Sequence, residues 1–225
     1  MKTQTHGIQT HRRGFTLIEM IGVLAIIAIL VAAVAPRIFE AIADSKITSA
    51  TTTVKTLQSA VVKYYADVGT LYPLTAAGVP AVSLNGTSTA AGYTATLPNI
   101  LALAAASAPA TTGLWPKFRG PYTEQFTTTN PVLGATMTLS AVAAVAGAAT
   151  TTNLNFSLAN NATTTFAAGT QLVYLTFTGV GQNEFQKIDA ILDDGIGALL
   201  ADKEAWGKVK WEPTTSTLMI YVAHK

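Results

Sequence analysis

The chain contains no cysteine, and this absence removes whole classes of chemistry. Disulfides, thiol nucleophiles, Cys-ligated zinc and iron–sulfur clusters are excluded. Histidine is nearly as scarce: His6 and His11 lie within the first 14 residues, and only His224 follows them. Beyond residue 14 the sequence therefore offers few general bases or metal ligands of the usual kinds.

Charged side chains are also sparse. They make up 12% of the 225 residues, about half of the roughly 25% found in an ordinary soluble domain. Of the 14 lysines and arginines, Lys2, Arg12 and Arg13 precede Gly14, which leaves 11 basic against 12 acidic side chains in the remainder. That remainder is near neutral and has no basic stripe, so we expect no direct nucleic-acid partner.

One long apolar run dominates what is present. Phe15–Ala35 is apolar except for Thr16 and Glu19, and a basic segment precedes it. As a helix, these 21 residues would be about 31 Å long, enough to cross a bilayer core. The basic flank would stay on the cytoplasmic side and the rest of the chain would face outward.

Three interpretations of this run compete. A conventional signal peptide could be cut after the small-x-small sequence 33–35, but Pro36 would then become the first mature residue, and the run is longer than a usual signal core. A plain single-pass anchor explains the length but not Glu19. A carboxylate in a membrane segment costs about 2.5–3.5 kcal/mol on insertion scales, so it suggests a function and a partner.

A cut after Gly14 would supply that partner. Phe15 would then carry a new α-amino group, four residues before Glu19. The two charges could pair within one chain or between neighbouring chains, which would offset burial and fix the axial register of stacked helices. Glu19 is thus predicted to be an assembly residue.

Residues 12–19, RRGFTLIE, resemble the prepilin peptidase recognition motif of type IV pilins and type II secretion pseudopilins. The resemblance implies cleavage after Gly14, N-methylation of Phe15 and an assembly role for Glu19. Pro36 lies where these pilins commonly carry a helix-kinking proline. The close resemblance covers about the first 55 residues, and the 14-residue leader is longer than the shortest in the family.

The family also implies the partners and the location. These are prepilin peptidase, the inner membrane, pilus or secretion assembly machinery, and copies of the same chain joined through the N-terminal helix. The precursor would be a single-pass inner-membrane protein with its C-terminal head outward, and the assembled filament would be periplasmic or on the surface.

The predicted organisation has four segments. Residues 1–14 form a leader, 15–35 a transmembrane and assembly half-helix, 36–68 an amphipathic half-helix and 69–225 a globular head. In the second half-helix, apolar residues recur mostly at three- or four-residue steps or their multiples, and Gly69 marks a stop. We expect Pro36 to kink or locally melt the helix, and Tyr64 and Tyr65 to pack in the core.

The head is rich in Ala and Thr, and its alternating segments predict strands. The expected fold class is α+β, a long N-terminal helix packed on an antiparallel sheet. Loops are predicted at 72–92 and 108–121, and a short helix at 99–107. Alternating segments lie at 132–140 and 152–158, the clearest strand at 172–177, and a hairpin pairs 208–211 with 218–222. A second helix is predicted at 183–194, with Gly195 as its cap and one apolar face formed by Phe185, Ile188, Ile191 and Leu192.

The head contains one acidic cluster: Asp189, Asp193 and Asp194, beside Gly195. Carboxylates near a glycine turn suit calcium, although EF-hand spacing is missing. Some pseudopilins bind calcium in a C-terminal loop. The alternative is a helix end with solvent-exposed acids. We expect no cofactor, with calcium as the one metal hypothesis. Asn85, Asn155 and Asn161 match the glycosylation pattern, a frequent coincidence in Thr-rich sequence.

Three functions are compatible with a membrane-anchored head of this kind. A pilin of a surface filament and a pseudopilin of a type II secretion system share the N-terminal chemistry, and the Thr-rich, weakly charged head favours the first. A membrane-anchored enzyme would need a catalytic set, and the sequence contains no Ser/His/Asp set, phosphate loop or histidine metal motif. The prediction is a structural subunit, not an enzyme.

Overall fold

The computed structural model describes residues 14–81, 89–90, 93–94, 96–124, 128, 136–193, 196–197 and 199–225. The chain divides into two compact units, Met1–Asp44 and Ser45–Lys225. In chain order the elements are α1 (Leu17–Val68), β1 (Thr89–Ala90), β2 (Tyr93–Thr94), α2 (Leu97–Ala102), β3 (Met137–Ala143), β4 (Gln171–Phe177), α3 (Gln182–Leu192), α4 (Leu200–Ala205), β5 (Val209–Glu212) and β6 (Thr217–His224).

Helix α1 is 52 residues long and continuous, with Pro36 inside it. The chain therefore stays helical at Pro36 rather than melting, while the kink remains a prediction. The helix ends at Val68, where Gly69 has a φ of 82° and its N–H donates to the carbonyl of Tyr65 at 2.8 Å. A left-handed residue after the last turn favours glycine, and the predicted stop is confirmed.

A run of threonines in the middle of α1 bonds to the helix itself. The hydroxyls of Thr51, Thr52, Thr53 and Thr56 each donate to a backbone carbonyl three or four residues earlier, at 2.8–3.0 Å. Threonine can make this bond in a helix because its hydroxyl reaches back to the preceding turn. These four hydroxyls are thus satisfied within the helix itself.

The second unit is built on a four-stranded antiparallel sheet in the order β3-β4-β6-β5. Strand β4 is central and pairs with β3 and β6, so Val173 lies opposite Ala141 on one side and Ala223 on the other. Strands β5 and β6 form a hairpin closed by the Glu212–Thr217 pair. This confirms the predicted strand at 172–177 and the predicted C-terminal hairpin.

The two faces of the sheet are covered by different parts of the chain. Successive strand residues point to opposite faces. The inner cluster packs the α1 residues Ile47, Val54, Leu57, Val61 and Tyr64 with the strand residues Leu139, Val173, Leu175, Leu218 and Ile220. The outer cluster contains Phe156, Leu172, Tyr174 and Met219. An α+β fold with a long N-terminal helix and an antiparallel sheet is thus confirmed.

The tyrosine pair on α1 packs as predicted, with a difference between its members. Tyr64 is fully buried, and its hydroxyl donates to the carbonyl of Tyr72 at 2.7 Å. Tyr65 is partly buried against the same cluster, and the Lys225 Nζ lies 5.2 Å from its ring centroid. Both side chains therefore hold the end of α1 on the head.

Some predictions for the head were wrong. Residues 152–158 form no strand: Ser157 makes only isolated bridges, to Thr165 and Gly207. The predicted helix at 99–107 is divided into α2 and a 3₁₀ turn at Ala105–Ser107, and the loop predicted at 72–92 contains β1. Helix α4 was not predicted.

Two further predictions had mixed outcomes. Helix α3 buries Phe185 and Ile188 and packs Leu192 against the core, but Ile191 is 51% exposed. Ile191 was therefore assigned to the wrong face. The alternating segment predicted at 132–140 begins in residues outside the described ranges, and the part that is described belongs to β3. The predicted cap Gly195 also lies outside the described ranges.

Candidate functional site

The predicted cleavage position lies just before α1. Gly14, Phe15 and Thr16 precede the helix, have no regular secondary structure and are exposed. Phe15 is 82% exposed, and a Cβ built on Gly14 would meet no atom within 4 Å. The Gly14–Phe15 peptide is therefore open on this chain, as a peptidase substrate requires.

Thr16 and Glu19 form a reciprocal cap at the start of the helix. The Glu19 Oε2 accepts the Thr16 backbone N–H at 2.8 Å and the Thr16 hydroxyl at 2.8 Å. In return, the Glu19 N–H donates to the Thr16 Oγ1 at 3.4 Å. This is the geometry of a capping box, in which two residues three apart satisfy the free N–H groups of a helix start.

The cap adds Thr16 to the site. Sequence reasoning treated Thr16 only as an exception in the apolar run, although the spacing Thr-x-x-Glu before apolar residues is a known signal for a helix N-terminus. The carboxylate of Glu19 also lies at the positive end of the helix dipole. Glu19 thus has a role within its own chain, while its pairing with a Phe15 amine stays a prediction because that amine exists only after cleavage.

The first turns of α1 expose a continuous apolar surface. Large side chains that are about half exposed or more follow the cap: Leu17, Ile18, Met20, Ile21, Leu24, Ile26, Ile27, Ile29, Leu30 and Val31. Among the described residues, α1 is the one helix long and apolar enough to cross a membrane, judged by length and composition. Because water disfavours so large an apolar area, this surface requires lipid or protein around it.

Comparison with known proteins gives one match. Residues 9–35 match the family model for the prokaryotic N-terminal methylation motif. No curated protein and no solved structure matches the chain. The segment thus carries the signature of type IV pilins and pseudopilins, as the sequence predicted. The long helix and the antiparallel sheet form an α+β architecture like that of type IV pilins.

The match supports several coarser conclusions. The motif is typical of structural rather than enzymatic proteins. With the apolar helix, it fits an inner-membrane precursor that a peptidase processes and that takes part in pilin-type assembly. The cleavage position, the methylated residue and the assembly carboxylate remain predictions for individual residues.

The aspartates of the head are placed differently from one another. Asp189 is buried in α3, and Asp194 lies outside the described residues. The Asp193 carboxylate accepts the backbone N–H of Lys208 and, at 3.3 Å, that of Val209. Burial raises its pKa although these bonds oppose the shift. Asp193 thus joins the end of α3 to the start of β5, and in the described part of the chain no three acidic or histidine side chains gather as a metal site.

The calcium hypothesis has a direct test. If Asp189, Asp193 and Asp194 bind calcium, a concentration of about ten times Kd should stabilise the chain by about 1.4 kcal/mol. For a chain of this size, that raises Tm by about 3–6 °C. Thermal unfolding with calcium, with magnesium in parallel and with Asp194→Asn as the matched variant, measures this. An unchanged Tm would contradict the hypothesis.

Proposed function

We propose that this chain is the structural subunit of a type IV pilus-like surface filament. The precursor is held in the inner membrane by α1, with its head outward. Prepilin peptidase cuts after Gly14, Phe15 becomes the N-methylated first residue, and the mature chains polymerise through their N-terminal helices. The observation that carries the proposal is the methylation motif at residues 9–35, which includes the exposed Gly14–Phe15 peptide and the exposed apolar start of α1.

The apolar surface of α1 lets the helix pass from the membrane into the filament. In the membrane, lipid covers the side chains between Leu17 and Val34, and in the filament the same side chains of neighbouring copies replace the lipid. Exchange of one apolar environment for another costs little, so shape and polar contacts decide where the helices stop. Glu19 is the polar group in that stretch, which makes it the natural determinant of register.

The Thr16–Glu19 cap fits both states of the chain. A carboxylate in a low-dielectric surrounding needs hydrogen bonds, and Thr16 supplies two of them at 2.8 Å within the same helix. After cleavage, the α-amino group of Phe15 in the same or a neighbouring chain adds the opposite charge. Glu19 thus keeps partners during storage in the membrane and gains a charged one on assembly.

The head has a structural rather than a catalytic role in this proposal. Its surface is rich in threonine and poor in charge, which suits close packing of many copies in an exposed filament. This composition favours a surface pilus over the alternative, a pseudopilin of a type II secretion system. The alternative uses the same N-terminal chemistry and builds a short periplasmic filament.

The test is to isolate fibres from cells that make the chain and to identify the first residue of their subunit. We expect surface fibres composed mainly of this chain, each copy starting at N-methylated Phe15. Electron microscopy and N-terminal sequencing with mass spectrometry measure both. A subunit starting at Met1 or Pro36 would contradict the processing step, whereas processed chains confined to the periplasm would favour the pseudopilin.

A further inference from the structure

Lys210 is a fully buried lysine on the outer face of the sheet. It lies in β5 between Val209 and Trp211, which face the inner cluster, and its exposed fraction is 0%. Its Nζ lies 2.7 Å from the Asn153 carbonyl oxygen, 3.1 Å from the Asn153 Oδ1 and 3.1 Å from the Asn155 carbonyl oxygen. All three are neutral amide oxygens, so no charge compensates the amine. A neutral amine has two N–H groups, which serve the two backbone carbonyls and leave the lone pair facing the Asn153 side-chain amide.

Burial favours the uncharged form of the Lys210 amine. Burial lowers the pKa of Lys210 from 10.5 to about 7, because taking an ammonium group out of water penalises its charged form. The Phe156 ring, whose centroid lies 5.3 Å from the Nζ, closes the site on one side. A neutral primary amine is a nucleophile, whereas the usual surface lysine is protonated and inert at neutral pH.

The Asn153 side-chain amide beside it is fixed and polarised. Its Oδ1 accepts the backbone N–H groups of Thr150 and Asn155, each at 3.1 Å, and the Lys210 Nζ lies 3.1 Å from the same oxygen. Its Nδ2 donates to the Ala148 carbonyl at 2.8 Å. Two backbone N–H groups aimed at one carbonyl oxygen stabilise the negative charge that develops there when the carbon is attacked, as in an oxyanion hole.

We propose that Lys210 and Asn153 form an intramolecular isopeptide bond. The lone pair of the neutral Nζ attacks the Asn153 Cγ, and the resulting oxyanion on Oδ1 is held by the N–H groups of Thr150 and Asn155. A proton passes from Nζ to Nδ2, the Cγ–Nδ2 bond breaks, and one ammonia leaves. The product is a secondary amide between Nζ and Cγ, and no oxidant or cofactor takes part.

Proximity makes this reaction accessible without a dedicated enzyme. Amines attack simple amides very slowly in solution, but well-oriented groups in one molecule can reach effective concentrations of about 10⁵–10⁸ M. The reaction also needs to occur only once in the life of each chain. Since the two residues are 57 positions apart, the bond would tie the loop that contains Asn153 to strand β5 covalently.

The test is the mass of the purified full-length chain and of its tryptic peptides. We expect the mass of the chain to be one ammonia below the mass calculated from its sequence. We also expect a branched peptide that joins Asn153 to Lys210, because trypsin does not cut after a lysine whose amine is acylated. Lys210→Arg and Asn153→Asp should each abolish the ammonia loss and the branched peptide. Lys208→Arg, an exposed lysine two residues away, should leave both unchanged.

Each result decides the matter. Wild-type chain of full mass after prolonged incubation at pH 8 would overturn the proposal. Ammonia loss that persists in Lys210→Arg would also overturn it, since it would show cyclisation of an asparagine on its own backbone. If Lys210→Arg disrupts folding, Asn153→Asp still tests the proposal because it keeps the lysine.

The rate of bond formation should depend on pH. In chains newly folded at different pH values, bond formation should accelerate as the pH rises through about 7, because only the neutral amine attacks. Filament assembly is not needed for any of these measurements.

Discussion

Replacing Glu19 with glutamine should reduce filament yield at least about tenfold, although the helix cap survives. Glutamine serves as well as glutamate at this position of a capping box, so α1 still starts at the same residue. What is lost is the negative charge that would pair with the α-amino group of Phe15. An unpaired buried charge costs about 3–5 kcal/mol, so the new amine opposes assembly. Sedimentation of sheared fibres and electron microscopy measure the yield.

A variant of Thr16 separates the charge of Glu19 from its capping role. Thr16→Ala removes the hydroxyl that donates to the Glu19 Oε2 but keeps the carboxylate and its backbone bond. Loss of a cap costs about 0.5–2 kcal/mol, so filament yield should fall less than with Glu19→Gln. The opposite ranking, with normal fibres from Glu19→Gln and few from Thr16→Ala, would show that Glu19 acts through the cap and not through pairing.

Replacing Gly14 with valine should block removal of the leader almost completely. A peptidase that cuts after glycine approaches the backbone closely, and a branched side chain prevents that approach. The chain itself has room for the change, since a Cβ at Gly14 meets nothing within 4 Å. Immunoblots should show only precursor in the membrane fraction, and N-terminal sequencing should give Met1. Fibres should be absent.

The control for this experiment is another uncrowded glycine. Gly22 lies within α1, and a Cβ there also meets nothing within 4 Å. Gly22→Ala should therefore be processed at the wild-type rate, whatever its effect on later packing. Processing of Gly14→Val at the wild-type rate would place the cleavage elsewhere in the N-terminal segment.

The sequence predicted the parts of this protein whose structure depends on local pattern. The apolar run and the three- and four-residue spacing of apolar residues beyond it predict α1, and dense β-branched and aromatic residues predict β4. Residues 152–158 alternate as well, but Asn153 uses its side chain to bond Thr150, Asn155 and Ala148. Such bonds compete with strand pairing, and the lysine that completes them comes from β5, far along the chain.

The candidate sites also differ in whether their residues are close together in the sequence. Gly14, Phe15 and Glu19 are neighbours in sequence, so the resemblance to the prepilin motif could be recognised without a structure. The capping partner Thr16 was also readable from its spacing. The Lys210–Asn153 pair could not be predicted from the sequence, because neither residue type is unusual and only the folded sheet brings the two residues together. The acidic residues near 189–194 show the reverse: adjacency in sequence suggested a shared ligand, whereas the Asp193 carboxylate bonds to backbone N–H groups at the start of β5.

The threonine run in α1 has a consequence for the environments this helix can enter. A hydroxyl that faces water must give up its hydration when neighbours close over it, and that loss is large if no new acceptor is available. Thr51, Thr52, Thr53 and Thr56 already donate to their own helix, so they carry their acceptors with them. These four hydroxyls can therefore move between wet and dry surroundings with little change in free energy.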